Sequence, residues 1–367
     1  MKYLLLLTIL SCSGLERVSE KVFTKPIRNK KILNVSWNKN LDPTYKVGNL
    51  PISGITPKLT ADKLMVGSLE GGVYIYNHNG IEKTHIKTKG SVVGRPLLRN
   101  NILYYGTNEG NVVATDLSTK KVIFKEFLQS PIESDVVDYK DIIIVRLRSH
   151  VVVALNKSDG KIKWHYKRSV AQLSTLNRIS TPKVYKENLI FGTADGYLVS
   201  VKLADGAIDW ERKLSNKKKF IDIDMSPSLF EDKIWIGSLG GDFHLINPNN
   251  GNVITKYKLN ASAEPVNIGN KVYVFDNSGY VYVFKLDGSL QTKKKISQFS
   301  FGSAKYWKQY LVASTYKGHI LAVDPRTLKV VDTFHLGHKF SSIFGHLETD
   351  GKSLAAYSSR NRLYVFK

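Results

Sequence analysis

The sequence repeats itself, and this limits the possible folds more than any other property of the chain. Residues 190–210, IFGTADGYLVSVKLADGAIDW, serve as a template. The pattern returns as LMVGSLEGGVYIYNHNG from Leu64, LYYGTNEGNVVATDL from Leu103 and IVRLRSHVVVALNKSDGKIKW from Ile144. It returns again as IWIGSLGGDFHLINPNNGNVI from Ile234, VYVFDNSGYVYVFKLDGSL from Val272, LVASTYKGHILAVDPRTLKVV from Leu311 and LAAYSSRNRLYVFK from Leu354. The aligned turn positions are Gly71, Gly110, His150, Gly196, Gly241, Gly279, Gly318 and Asn361, at intervals of 39, 40, 46, 45, 38, 39 and 43 residues. Each unit holds four strand signals; in the fourth they are STPKVY, NLIFGT, YLVSVKL and AIDWERKL. Turns such as Asp159-Gly160, Asp205-Gly206, Asn250-Gly251 and Asp287-Gly288 supply the positive φ that tight hairpins need. Strands such as VVVAL and VYVF are apolar on both faces, as expected of sheets stacked between neighbours. No unit has a helical apolar period, which excludes a helical solenoid. The spacing therefore predicts an all-β fold, an eight-bladed β-propeller of four-stranded antiparallel blades.

The two ends of the repeat complement each other. The last unit stops after its third strand, RLYVFK. The missing fourth strand ends in Trp in two units, Trp164 and Trp210, with Phe124, Ile254 and Val331 at or near that place elsewhere. An orphan strand, KILNVSWNKNL, lies ahead of the first unit with Trp37 at the matching position. The N-terminal strand is thus expected to pair with residues 362–367 and close the ring, leaving only short edges exposed.

Ahead of the propeller, expected over 31–367, the sequence opens MKYLLLLTILSCSG. Lys2 and the apolar run after it read as a signal peptide over 1–11, too short for a permanent membrane span. Ile9-Leu10-Ser11-Cys12 resembles a bacterial lipobox, in which the peptide is cut before the cysteine and the thiol carries diacylglycerol. Cys12 is the chain's only cysteine, so no intramolecular disulfide forms. Residues 12–30 then read as the lipidated cysteine and a polar tether, and Ser13 resembles an outer-membrane address. The 367 residues carry a formal net charge of +23. Such charge suits nucleic acid, an acidic membrane surface or an acidic protein, or reflects a lysine-rich composition with no partner, since the lysines are spread along the chain. An exported, lipid-held chain leaves no role for nucleic acid.

The unit resembles the PQQ-type repeat of quinoprotein dehydrogenases. Those enzymes hold a quinone and usually Ca²⁺ in the central funnel, with an Asp or His base, and many use a disulfide between adjacent cysteines. No Cys-Cys pair exists here, and the repeat Trp appears only at 37, 164 and 210. His335 and His338 lack a surrounding carboxylate or cysteine cluster, so no metal is expected. A phosphate-binding Gly loop and a Gly-x-Ser-x-Gly elbow are also missing. The sequence reads as a non-catalytic protein without a cofactor.

With the lipobox, the Trp37 strand and two loop segments, the chain resembles the BamB family, lipoproteins of the outer-membrane β-barrel assembly (BAM) machinery. Members carry a Leu- and Arg-containing loop before an S-x-P strand start; here it is QLSTLNRISTP, with Leu173, Leu176 and Arg178. One blade later they carry Asp-x-Asp; here it is IDIDMSPSL, with Asp222 and Asp224. The resemblance implies a periplasmic, outer-membrane scaffold, monomeric within a larger complex, whose rim loops bind a POTRA domain of a BamA-type protein. The aspartates also suit a turn or cap with no partner role. A competing class is a periplasmic propeller that grips a small ligand or glycan in its pore. That class needs convergent aromatics and carboxylates in the pore, whereas a scaffold carries its functional residues on one rim.

Overall fold

Four-stranded hairpin units are the building block throughout. The computed structural model describes residues 31–42, 54–168, 180–215, 222–238, 241–337 and 341–367. The described residues form 32 strands, from β1 (Val35–Asn40) to β32 (Arg362–Phe366), and no helix. The strands pair into eight four-stranded antiparallel sheets, which makes the molecule the eight-bladed propeller that the repeat predicts. Seven blades are four consecutive strands; the fourth, for example, is β14 (Lys183–Tyr185), β15 (Asn188–Gly192), β16 (Tyr197–Lys202) and β17 (Ile208–Lys213). First strands of different blades approach one another and line the axis, as Lys58–Leu59 does Glu348–Thr349. Fourth strands form the circumference, and all six residues of Leu290–Lys295 are exposed there.

The middle strands are apolar on both faces because each sheet is covered on both sides. Ile142–Arg146 and His319–Val323 are buried at every position. Eight clusters of buried residues result, and each spans one blade and the next. The cluster of Leu41, Ile55, Leu64 and Val66 with Ala355, Tyr357 and Val365 joins the last blade to the first. His150 and Asn361 stand where most units have a turn glycine, and both adopt positive φ, 66° and 59°. Their side chains tolerate this left-handed conformation better than most.

The ring closes as the sequence predicts. The eighth sheet has the order β1, β32, Leu354–Tyr357, Glu348–Thr349. Asn40 faces Arg362 and Val35 faces Phe366 across the antiparallel seam. An aromatic dock recurs around the outside. Trp37 Nε1 donates to the His78 carbonyl (3.0 Å), Trp164 to Leu203 (2.9 Å) and Trp210 to Pro248 (3.0 Å), each in the following blade. The rings rest on turn glycines of that blade: a Cβ on Gly206 would lie 2.8 Å from Trp164, and one on Gly251 2.4 Å from Trp210. Phe124 sits on Gly160 in the same way.

The register fixes the docking position in two further blades. The docking residue pairs with the third strand just before a bulge, as Trp164 does with Ala154 and Trp210 with Ser200. That register puts Thr255 and Asp332 there, one residue beyond Ile254 and Val331. Asp332 has its own task. Its Oδ2 accepts the backbone N–H groups of Ile32 (2.7 Å) and Leu33 (2.8 Å), so blade seven clamps the strand that closes blade eight.

Candidate functional site

Each blade runs its first strand away from, and its second strand back toward, one rim. That rim carries the second-to-third strand turns and the links between blades. Asp222 and Asp224 lie in the link entering the fifth blade, ahead of Ser228–Phe230. The two aspartates are not equivalent. Asp222 is 2% exposed, whereas Asp224 is half-buried. Ile223 between them is buried, and its N–H donates to the Thr193 carbonyl (3.1 Å). A Cβ on Gly192 would meet Ile223 at 2.3 Å, so the link is pressed onto the fourth blade. Leu173, Leu176, Arg178 and Cys12 lie outside the described residues.

Sequence reading missed Arg146. It ends the second strand of the third blade, where the first, second, fourth and fifth blades carry Gly67, Gly106, Gly192 and Gly237. The side chain is 2% exposed, and its Nη1 donates to Ser180 Oγ (2.7 Å), at the entry to the fourth blade. Its backbone N–H donates to Ser134 Oγ (2.8 Å). Burial pulls the guanidinium down to about 10, against the opposing charge of Asp222. An arginine where four sister units carry glycine was the available signal.

Arg168 lies on the same rim. It ion-pairs with Asp195 (2.6 Å) and Glu211 (2.7 Å) and stacks over the Tyr197 ring, 4.1 Å from its centroid. The segment bearing Leu173, Leu176 and Arg178 therefore leaves the third blade at one held guanidinium and enters the fourth at a serine held by another.

The channel along the axis carries a different cluster. Arg95 ion-pairs with Asp135 (3.0 Å) and with Glu348 (3.0 Å), which also pairs with Lys58 (2.8 Å). Glu264 faces Lys305 (3.9 Å) and His346 (3.8 Å). Burial raises the Glu264 carboxyl, but His346, Lys305, Lys183 and Arg95 overcome it and bring it down to about 2. Burial likewise opposes ionisation of Asp135, and Arg95 reverses the effect, leaving its pKa lowered. His346 is shifted down, by burial first, against the pull of Glu264. These side chains come from every blade but the fifth. Among the described residues no group of three or more His, Cys, Asp or Glu is arranged to hold a metal ion.

The fold defines an eight-bladed propeller whose blade links and second-to-third strand turns share one rim. Over residues 34–295 the sequence matches the family described as outer membrane protein assembly factor BamB, and the chain belongs to that family. It is 23% identical over 244 residues to the BamB of Shewanella oneidensis, covering 63% of this chain and 60% of that one. To the Yersinia pestis BamB it is 21% identical over 231 residues, covering 59% and 57%. The matches thus span less than two thirds of these relatives' length. The crystal structure of BamB from Moraxella catarrhalis superposes with a TM-score of 0.78 at 16% identity, covering 92% of this chain and all of that one. A computationally designed protein, Ika8, shares the fold at a TM-score of 0.69. The propeller alone therefore carries no function.

Proposed function

We propose that this protein is a non-catalytic scaffold of the machinery that assembles β-barrel proteins in the outer membrane. In this reading a lipid on Cys12 holds it at the periplasmic face. It binds a POTRA domain of a BamA-type protein through the rim that carries Asp224 and the segment of Leu173, Leu176 and Arg178. Family membership over residues 34–295 carries the reading, because the relatives are outer-membrane protein assembly factors. The channel supports a scaffold over a ligand-gripping propeller: Asp135, Glu264 and Glu348 each face a base of this same chain. Loops on a rigid frame present a contact surface at little reorganisation cost.

The test is binding of a periplasmic POTRA fragment by the full chain and its variants. Asp224→Lys is expected to weaken binding at least tenfold, about 1.4 kcal/mol, with its unfolding midpoint near the parent's. In the same cells Cys12→Ser is expected to leave the outer-membrane fraction. Normal binding by a folded Asp224→Lys protein would remove this rim from the interface.

A further inference from the structure

We infer that Arg146 is a positioning residue for the acidic rim segment, and that Asp222 acts from inside through it while Asp224 faces the partner. The inference rests on the partner-binding reading above. The geometry assigns different work to the two aspartates. A carboxylate as covered as Asp222 makes no first contact with another protein, and a buried charge persists only where opposite charge or hydrogen bonds compensate it. Arg146 is as fully covered, and the two charges act on one another. Both also act electrostatically on His150, at the turn after Arg146, whose pKa is lowered first by burial.

A chain of contacts crosses three blades from this cluster. Arg146 of the third blade donates to Ser180, where the chain enters the fourth (2.7 Å). The next residue, Thr181, donates its N–H to Ser226 Oγ, where the chain enters the fifth (3.1 Å). Ser226 stands two residues beyond Asp224. Ile223, one residue before Asp224, is fixed to Thr193 of the fourth blade. Asp224 is thus bracketed by two inter-blade hydrogen bonds, one of them made by the residue next to the Ser180 that Arg146 holds. An arginine suits this place because its planar fork serves several acceptors from one buried position. The glycines of the sister blades leave no side chain there, so this link between blades three, four and five has no counterpart at those positions.

The experiment has two arms on the full chain. Amide hydrogen exchange at residues 222–226 needs no partner. Arg146→Met is expected to speed exchange there at least tenfold while the inner strands of distant blades keep the parent rate, and Arg146→Lys to restore part of the protection. Binding of the POTRA fragment is the second arm: Arg146→Met and Asp222→Asn should each weaken it about as much as Asp224→Lys. The double variant Arg146→Met, Asp222→Asn should lose little more than either single one, because the two act as a unit. Unchanged exchange at 222–226 in Arg146→Met overturns the positioning role. Faster exchange with parent-like binding overturns its functional part, provided Asp224→Lys has lost binding. Where Asp224→Lys also binds normally, the partner-binding reading is what fails. If Arg146→Met does not fold, Ser180→Ala, which removes only the hydroxyl that receives the guanidinium, is measured in its place with the same outcomes.

Discussion

At the circumference, Trp37, Trp164 and Trp210 each press a ring on the turn of the following blade and donate to a carbonyl there. At the axis, Arg95 reaches Asp135 of the next blade and Glu348 from the far end of the chain. The first device repeats and joins neighbours in sequence. The second occurs once, and its pair of Arg95 with Glu348 joins residues that meet only when the ring closes. Apolar docking gains from area and persists in any buffer. The channel gains from charge pairing against a desolvation cost, so it depends on pH and on every partner being present. The outer belt ties each blade to the next; the channel pair of Arg95 and Glu348 forms only when the ring is complete.

The comparison breaks most completely at the seam. Deleting residues 31–40 removes β1, the Trp37 dock and the groups clamped by Asp332. The expected loss exceeds about 5 kcal/mol, comparable to the whole stability of many domains, and chemical denaturation of any soluble product measures it. A local effect with an unchanged midpoint would show that the outer belt is not continuous. Next comes a single dock. Trp164 is 6% exposed, and Trp164→Ala should cost about 3–5 kcal/mol. Thr292 holds the equivalent register in the sixth blade but is exposed, so Thr292→Ala should stay within about 0.5 kcal/mol. Equal losses at the two sites would mean that strand pairing, and not the ring, carries the dock.

The channel is tested by acid. Glu264 has its pKa lowered from 4.5 to about 2, so its stabilisation is fully present above pH 4.5 and is lost as pH falls toward 2. Glu264→Gln should cost about 1–3 kcal/mol near neutral pH, flatten the stability curve between those limits and meet the parent curve at the acid end. Parallel curves would assign the acid sensitivity to other carboxylates.

The outer half of this architecture was legible in the sequence, because hairpin turns, two-faced apolar strands and the Trp register are local and recur at a near-constant interval. The closing strand was legible for the same reason, as a piece missing at one end and present at the other. Thr255 and Asp332, one residue beyond Ile254 and Val331, hold the same register before the bulge as Trp164 and Trp210, and neither carries an aromatic ring to mark the place. Less of the candidate site could be read. An Asp-x-Asp ahead of a strand start looks the same whether its first member is buried or open. Asp222 is covered by packing that brings it into the field of Arg146, a residue far from it in sequence. The channel pairs were hidden for a related reason, since Arg95 and Glu348 are separated by 253 residues and no local pattern links them.

The seam also frees the blade order from the chain order. Lys367 donates its N–H to the Asn34 carbonyl (3.1 Å), so the final strand runs into the first as the two arms of a hairpin that lacks its turn. A short turn joining them would make the eighth blade like the other seven and turn the propeller into a topological circle. Such a circle can be opened at another outer hairpin, at the cost of the ring docked on that turn. The rim that holds Arg146 and Asp224 would then keep its place in space while its place in the sequence becomes a matter of choice, as in a necklace whose clasp can be set between any two beads.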